Sequence, residues 1–91
     1  TIIANQPAER NWRIRVDGHT DDQPIRSGRY SSNWELSSAR ASSVVEALIR
    51  NGIPRERIVA AGFADTQPAA PGTSNEARQQ NRRIEVTVAD F

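Results

Sequence analysis

Two residues of opposite charge, Asp21 and Arg40, occupy positions from which they could bind one ligand together. Asp21 follows a strand-like run and lies in a turn that contains glycine, threonine and aspartate, whereas Arg40 falls on the second turn of a predicted helix. A carboxylate accepts hydrogen bonds from an ammonium group, and a guanidinium meets a carboxylate through two parallel hydrogen bonds. The pair therefore suits a zwitterionic ligand, and we predict a binding site here.

Both residues also have simpler explanations. An aspartate in a glycine-containing turn commonly accepts hydrogen bonds from its own loop. Arg40 could be a solvated helix residue or an ion-pair partner of Glu35 or Asp21, and surface pairs of that kind contribute only about 0–1 kcal/mol. The residues alone leave these explanations open.

A second group of titratable residues surrounds His19, the single histidine, which lies near Asp17, Asp21 and Asp22. Alternation along a strand would direct Asp17, His19 and Asp21 to one side, where they could hold a metal ion or transfer a proton. There is no second histidine, no H-E-x-x-H spacing, no cysteine and no G-x-S-x-G motif. We therefore predict no enzyme, no metal site and no cofactor, with a metal-assisted hydrolase around His19 as the rival hypothesis.

Composition narrows the class of protein. With 91 residues and a net charge of +1, the chain is expected to form one small domain over residues 1–91, which buries about 60–65% of its unfolded surface. Acidic and basic residues are interspersed, so no basic surface indicates nucleic acid. No apolar run reaches membrane-spanning length. The opening residues, T-I-I-A-N-Q-P, resemble the end of an amphipathic helix, so we expect a fragment.

The elements that position Asp21 and Arg40 are a strand and a helix. Three apolar residues alternate with charged ones and predict a half-buried strand that leads into the turn: Trp12, Ile14 and Val16. After a loop over residues 23–32, Ser32 or Asn33 is expected to cap a helix that begins near Trp34. Its apolar side should pack on a sheet and contains Trp34, Ala41, Val44, Val45 and Leu48. Gly52 and Pro54 end the helix.

The second half of the chain predicts two more strands and a short helix. Residues 57–63 are largely apolar and are predicted to form an inner strand, with Gly62 permitting close approach of a neighbour. After a loop, Ser74 or Asn75 should cap a short helix. A last half-buried strand follows, with alternating Ile84, Val86 and Val88. Both tryptophans fall in phase with apolar faces, which favours core packing over stacking on sugars.

Four short motifs appear in order along the chain: Thr20-Asp21, the L-S-S-A-R-A run that contains Arg40, Gly62 with Pro68, and Asn81-Arg82-Arg83. From about Trp12 to the C-terminus the chain resembles the OmpA-like peptidoglycan-binding family. The segments G-H-T-D-D and S-N-W-E-L-S-S-A-R-A are similar to those of the branch of that family found in flagellar stators.

The resemblance implies an α+β fold, a βαβαβ-type two-layer sandwich with the helices on one face of a mixed sheet. It also implies that the N-terminal strand and most of the first helix of the family are missing from this chain. Asp21 and Arg40 match the residues with which the family holds the diaminopimelate of the stem peptide. Thr20 is expected to add a contact, and Asn81 and Arg82 are predicted to line the same cleft, with helix capping and a solvated arginine as the alternatives.

Arg83 matches the motif less securely, because it could instead be a structural ion-pair partner on the last strand. The function implied by the resemblance is non-catalytic binding of peptidoglycan, which anchors an envelope or flagellar stator protein to the cell wall. The expected location is periplasmic, with a homodimeric full-length protein held in the inner membrane by an anchor that this chain lacks. The alternatives are a metal-assisted peptidoglycan hydrolase and a protein-interaction domain that has lost ligand binding.

Overall fold

The computed structural model describes residues 12–25 and 28–90. The described strands are β1 (Trp12–His19), β2 (Ile58–Gly62) and β3 (Arg83–Asp90), and the helices are α1 (Asn33–Arg50) and α2 (Asn75–Asn81), with a short 3-10 turn at Arg55–Arg57. The strand order is β2-β1-β3, with β1 parallel to β2 and antiparallel to β3. The predicted α+β fold with a mixed sheet is confirmed. The predicted loss of a preceding strand and helix concerns residues outside the described ranges.

The core lies between α1 and one face of the sheet. Ile14 and Val16 of β1 are fully buried there, as is Ala41 of α1. Trp12 is 5% exposed, so its predicted core position is confirmed. Because successive side chains of a strand point to opposite faces, the residues between these apolar ones lie on the other face of the sheet. The core is completed by partly buried residues: Val44, Val45, Leu48, Ile58 and Ile84.

Local signals fix both ends of α1 where the sequence predicts them. The Ser32 hydroxyl accepts a hydrogen bond from the backbone N–H of Glu35 at 3.2 Å, which satisfies one of the amides left unpaired at a helix start. At the other end Gly52 adopts a φ of 107°. The N–H groups of Gly52 and Ile53 then donate to carbonyls of the last helical turn, which is the usual glycine-terminated helix end. Ser74 caps α2 in the same way as Ser32 caps α1.

Helix α1 touches the sheet directly through two glycines. A side chain at Gly18 would collide with the backbone of Ser37, and one at Gly62 would collide with Ser38. The predicted close approach at Gly62 is therefore confirmed, and Gly18 has the same role on the neighbouring strand. The first half of α1 consequently rests on the carboxyl ends of β1 and β2, beside the loops that follow them.

Three predictions about burial are wrong, because they depend on where α1 lies over the sheet. Trp34 is 55% exposed: Ser37 already faces Gly18 near the end of β1, so a residue one turn earlier projects beyond the strands. Val86 and Val88 of β3 are 48% and 44% exposed. They pair with core residues of β1, but α1 packs mainly over β1 and β2.

The prediction that residues 57–63 form an inner strand is also wrong for the described part of the chain. Among the described strands, β2 pairs only with β1, which places β2 at one edge of the described sheet and β1 in its centre. No helix within the described ranges is long and apolar enough to span a membrane.

Candidate functional site

The loops after β1 and β2 are fastened to each other, which fixes the position of the predicted site. The N–H of Thr20 donates to the carbonyl of Ala64 at 2.8 Å, and the N–H of Phe63 donates to the carbonyl of Gly18 at 3.0 Å. The buried hydroxyl of Thr20 donates to the carbonyl of Asp21 at 3.0 Å. Thr20 therefore shapes the loop that presents Asp21, and its predicted contact with a ligand stays a prediction.

Asp21 has a partner for each carboxylate oxygen. Oδ1 accepts the backbone N–H of Gln23 at 3.0 Å, and Oδ2 accepts Nη1 of Arg82 at 2.6 Å. Only 9% of the Asp21 side chain is exposed, against 44% for Arg82. The carboxylate is thus held in one orientation, while each oxygen keeps a further lone pair for another donor. The structure brings together two of the residues that the sequence assigns to the cleft.

Arg40 is exposed and makes no hydrogen bond or ion pair with any residue in the described ranges. It lies one turn after Ser37, which faces Gly18 at the end of β1. Long side chains on a helix lean toward its N-terminus, and that is the end of α1 nearest the loop of Asp21. The ion-pair alternatives for Arg40 are not seen, because Asp21 pairs with Arg82 and Glu35 bonds Ser31.

Asn81 is buried and holds the loop that precedes α2. Its amide oxygen accepts the backbone N–H groups of Ala69 and Ala70, both at 2.8 Å. Its amide nitrogen donates to the carbonyl of Ala70 at 3.0 Å. Asn81 therefore positions the chain beside Arg82, and its predicted ligand contact would depend on the amide hydrogen that these bonds leave over.

Arg83 has the structural role that was the alternative to ligand binding. Its guanidinium pairs with Glu85 at 2.5 Å and donates to the backbone carbonyls of Gln67 and Asn81 at 2.8 and 3.3 Å. The guanidinium therefore joins β3 to the loop before α2.

A second ion pair lies next to the Asp21 loop and was not predicted. Nε of Arg78 on α2 donates to Asp22 at 2.8 Å, and this hydrogen bond lowers the pKa of Asp22 and raises that of Arg78. The two residues line a depression of about 480 Å³ together with Gln23 and Pro24. Nothing in the sequence indicates that α2 lies against this loop, since 56 positions separate the two partners.

The outer face of the sheet, opposite α1, has a separate polar cluster of Asp17, His19 and Glu85. Asp17 and His19 share this face, as alternation predicts, but β1 ends at His19 and Asp21 is not part of the cluster. Glu85 was missed. It joins because β3 is antiparallel to β1 in a register that pairs Asp17 with Glu85, which local sequence patterns do not reveal.

The imidazole of His19 is buried in this cluster. It stacks on the ring of Phe63 with centroids 5.2 Å apart and planes at 8°, and its side chain is only 4% exposed. Burial, reinforced by the positive charge of Arg83 and opposed by Glu85 and Asp17, lowers the pKa of His19. The neutral form of the ring is therefore favoured over the charged form.

Known proteins match most of this chain. A model of the OmpA family matches residues 1–82. Motility protein B of Bacillus subtilis (strain 168) is 36% identical over 88 residues, which cover 96% of this chain and 32% of that protein. The uncharacterized protein YtxE of the same organism is 45% identical over 76 residues, or 82% of this chain and 31% of that protein. The chain spans about a third of the length of these curated relatives.

Two kinds of solved structure have the same fold. A crystal structure of the periplasmic domain of Helicobacter pylori MotB superimposes with a TM-score of 0.86 at 34% identity, covering 98% of this chain and 55% of that one. The cell wall anchor of the T6SS from Pseudomonas aeruginosa superimposes with a TM-score of 0.79 at 39% identity, covering 97% of this chain and 61% of that one.

Proposed function

Because the chain belongs to the OmpA family, as its motifs predict, and is of the MotB type within it, we propose that it binds peptidoglycan through the diaminopimelate of the stem peptide. On this proposal it serves as a non-catalytic anchor between an envelope or flagellar stator protein and the cell wall. The solved structures described as a MotB periplasmic domain and a cell wall anchor support this role and a periplasmic location.

The observation that carries the proposal is the contrast between the Asp21 carboxylate and the Arg40 guanidinium. Asp21 is nearly buried and fixed by two donors, whereas Arg40 is exposed and unpaired among the described residues. Diaminopimelate has an ammonium and a carboxylate at its side-chain end. Asp21 accepts hydrogen bonds from the ammonium, and Arg40 donates two to the carboxylate.

Arg82 already occupies one oxygen of Asp21, so the ammonium of the ligand must share that carboxylate or displace the guanidinium. Because the Arg82 side chain is 44% exposed, it is able to rotate away from Asp21 without breaking a packed core. Once released, Arg82 is available to the carboxylate of the ligand beside Arg40. This exchange keeps the charge of Asp21 compensated both before and after binding.

Asp21 and Arg40 together also determine the expected selectivity between stem peptides. Lysine-type stems keep the ammonium but lack the second carboxylate, so Arg40 would remain solvated. Since Arg40 is exposed, leaving it unpaired costs little. The discrimination then equals the lost charge-assisted hydrogen bonds, about 1.5–3 kcal/mol, which corresponds to about 10- to 100-fold in affinity.

Affinity for one stem peptide is expected to be modest, because only a few side chains contact the ligand. A homodimer of the full-length protein that meets a wall with many stems would bind more tightly, since the second contact becomes intramolecular. Thr20 and Asn81 keep their predicted place in the cleft, chiefly by holding its two loops.

The test is titration of the full 91-residue chain with free diaminopimelate and with lysine, followed by sedimentation with purified cell wall. We expect Asp21→Asn and Arg40→Gln each to weaken diaminopimelate binding by about tenfold or more. Arg50→Gln, at the far end of α1, is the matched control and should bind as the parent does. If both cleft variants sediment with wall like the parent, the proposal is wrong. No release of fragments from soluble peptidoglycan is expected.

A further inference from the structure

Although the sequence predicts no metal site, we propose that Asp17, His19 and Glu85 form a binding site for a divalent transition metal ion of the zinc type, on the face of the sheet opposite α1. The site is separate from the cleft of Asp21 and Arg40 and does not depend on the function proposed for that cleft. The proposal concerns binding alone and includes no catalytic step.

The first observation is that His19 lacks the partners that a buried imidazole normally has. Both ring nitrogens are buried, and neither has a hydrogen-bond partner among the described residues. Buried polar groups in folded proteins nearly always have a partner, and leaving one unsatisfied is destabilising. A metal ion would supply the missing partner, because a neutral imidazole keeps a lone pair on one of its two nitrogens.

The second observation is that two carboxylates converge on this imidazole. One ligand atom from each of Asp17, His19 and Glu85 lies within 4.8 Å of the other two. The distance from Nε2 of His19 to Oε1 of Glu85 is 3.8 Å, which is too long for a hydrogen bond. With metal bonds of about 2.0–2.2 Å, two ligands on one ion lie about 3–3.5 Å apart. Glu85 is half exposed, so its carboxylate has room to close the difference.

The other oxygen of each carboxylate is already held by an arginine. Nε of Arg15 bonds Oδ1 of Asp17 at 2.7 Å, and Nε of Arg83 bonds Oε2 of Glu85 at 2.5 Å. These contacts leave Oδ2 and Oε1 for the ion. Hydrogen bonds from outside the site commonly orient metal-binding carboxylates in this way. The nearby guanidinium charges also repel a cation, so we expect micromolar rather than nanomolar affinity.

The chemistry of the three ligands selects the class of metal. One imidazole nitrogen and two carboxylate oxygens suit Zn²⁺ and its neighbours, whereas Mg²⁺ and Ca²⁺ prefer oxygen ligands alone. Three protein ligands leave a coordination position open toward a depression of about 350 Å³, which Phe63 and Gln67 also line. Water or a carboxylate from outside the chain would fill that position.

The bound ion would join β1 and β3, the two strands that lead to and from the cleft of Asp21 and Arg40. Asp17 and His19 lie on β1, immediately before the Asp21 loop, and Glu85 lies on β3, three residues after Arg82. Metal binding is therefore expected to stabilise the pairing of β1 with β3 without altering the residues that contact the stem peptide.

The test is calorimetric titration of the chelator-treated, full 91-residue chain with zinc chloride, together with thermal unfolding with and without the ion. We expect one Zn²⁺ per chain and a rise in Tm on binding. Glu85→Gln changes one oxygen of a half-exposed side chain and should weaken binding by at least about tenfold. Glu46→Gln, which alters an exposed acid on α1, is the matched control and should bind as the parent does.

His19→Phe provides the second variant, because it preserves the stack on Phe63 while removing both ring nitrogens. It should abolish Zn²⁺ binding and the rise in Tm. The proposal is overturned if the parent shows no saturable Zn²⁺ binding. It is equally overturned if Glu85→Gln and His19→Phe bind the ion as tightly as the parent.

Discussion

Asp21 and His19 are two positions apart, and both are nearly buried, at 7% and 4% exposure. They differ in whether their polar atoms have hydrogen-bond partners. Each oxygen of Asp21 has a donor from the chain itself. Neither nitrogen of His19 has a hydrogen-bond partner in the part of the chain that the structure describes. The first side chain is held in one orientation by donors of the chain itself, whereas the second is buried with no hydrogen bond to hold it.

The difference follows from the backbone on which each residue lies. Asp21 belongs to a loop, where the free N–H of Gln23 can turn toward the carboxylate. His19 closes a central strand whose backbone groups pair with its neighbours, so only side chains on the same face can reach the ring. The acidic side chains among them are Asp17 and Glu85, and each already has an arginine partner. Proximity in sequence therefore does not confer a shared environment.

The largest effect is expected from a change that disturbs both residues together. Gly18→Val would push α1 away from the end of β1, because the added side chain meets the backbone of Ser37. We expect a loss of at least about 3 kcal/mol in the free energy of unfolding, measured in urea. Gly72→Ala is the control: it adds a methyl group in open space at a φ of 96° and should cost only about 1–2 kcal/mol. Equal losses would contradict the tight contact.

Two variants with smaller effects test the comparison directly, because they should change the free energy of unfolding in opposite directions. Asp21→Ala leaves the Gln23 N–H and Arg82 without their acceptor and should lower the free energy of unfolding by about 1–2 kcal/mol. His19→Phe removes two unsatisfied nitrogens and keeps the stack on Phe63, so it should raise that free energy by about 1–2 kcal/mol in the presence of a chelator. If both variants change stability in the same direction, the contrast between the two sites is wrong.

The smallest effect concerns the exposed ion pair beside the Asp21 loop. The hydrogen bond from Arg78 lowers the pKa of Asp22 from its usual 3.8. The pair therefore stabilises the fold above pH 3.8, and this contribution disappears as the pH falls through the lowered pKa. Arg78→Gln should reduce Tm slightly at pH 7 and not at all below that pKa. Arg55→Gln should show no such dependence on pH, and a Tm difference that persists in acid would contradict the assignment.

The parts of the fold that the sequence predicts are those determined by neighbouring residues. The Ser32 cap, the Gly52 ending of α1 and the Ser74 cap of α2 each need only a few adjacent positions. The exposure of Trp34 and Val86 depends instead on where α1 lies over the sheet, and residue periodicity does not contain that information.

The same division holds for the two sites. Short motifs pointed to Asp21 and Arg82, and the structure shows that they touch. The addition of Glu85 to Asp17 and His19 follows from the antiparallel register between β1 and β3, which joins residues far apart in the chain. A sequence pattern identifies the candidate side chains on one strand, and the neighbouring strand decides which of them form a site.

The direction of β1 determines how the molecule would carry mechanical force. Residues before Trp12 enter β1 at one end, and the loop of Asp21 leaves it at the other. The hydrogen bonds between antiparallel strands run perpendicular to the strand axis and those between parallel strands run at a slant, and β1 has one row of each kind. A pull applied before Trp12 and resisted by a ligand at Asp21 therefore loads both rows of bonds in shear, all at once, and does not peel them apart one after another.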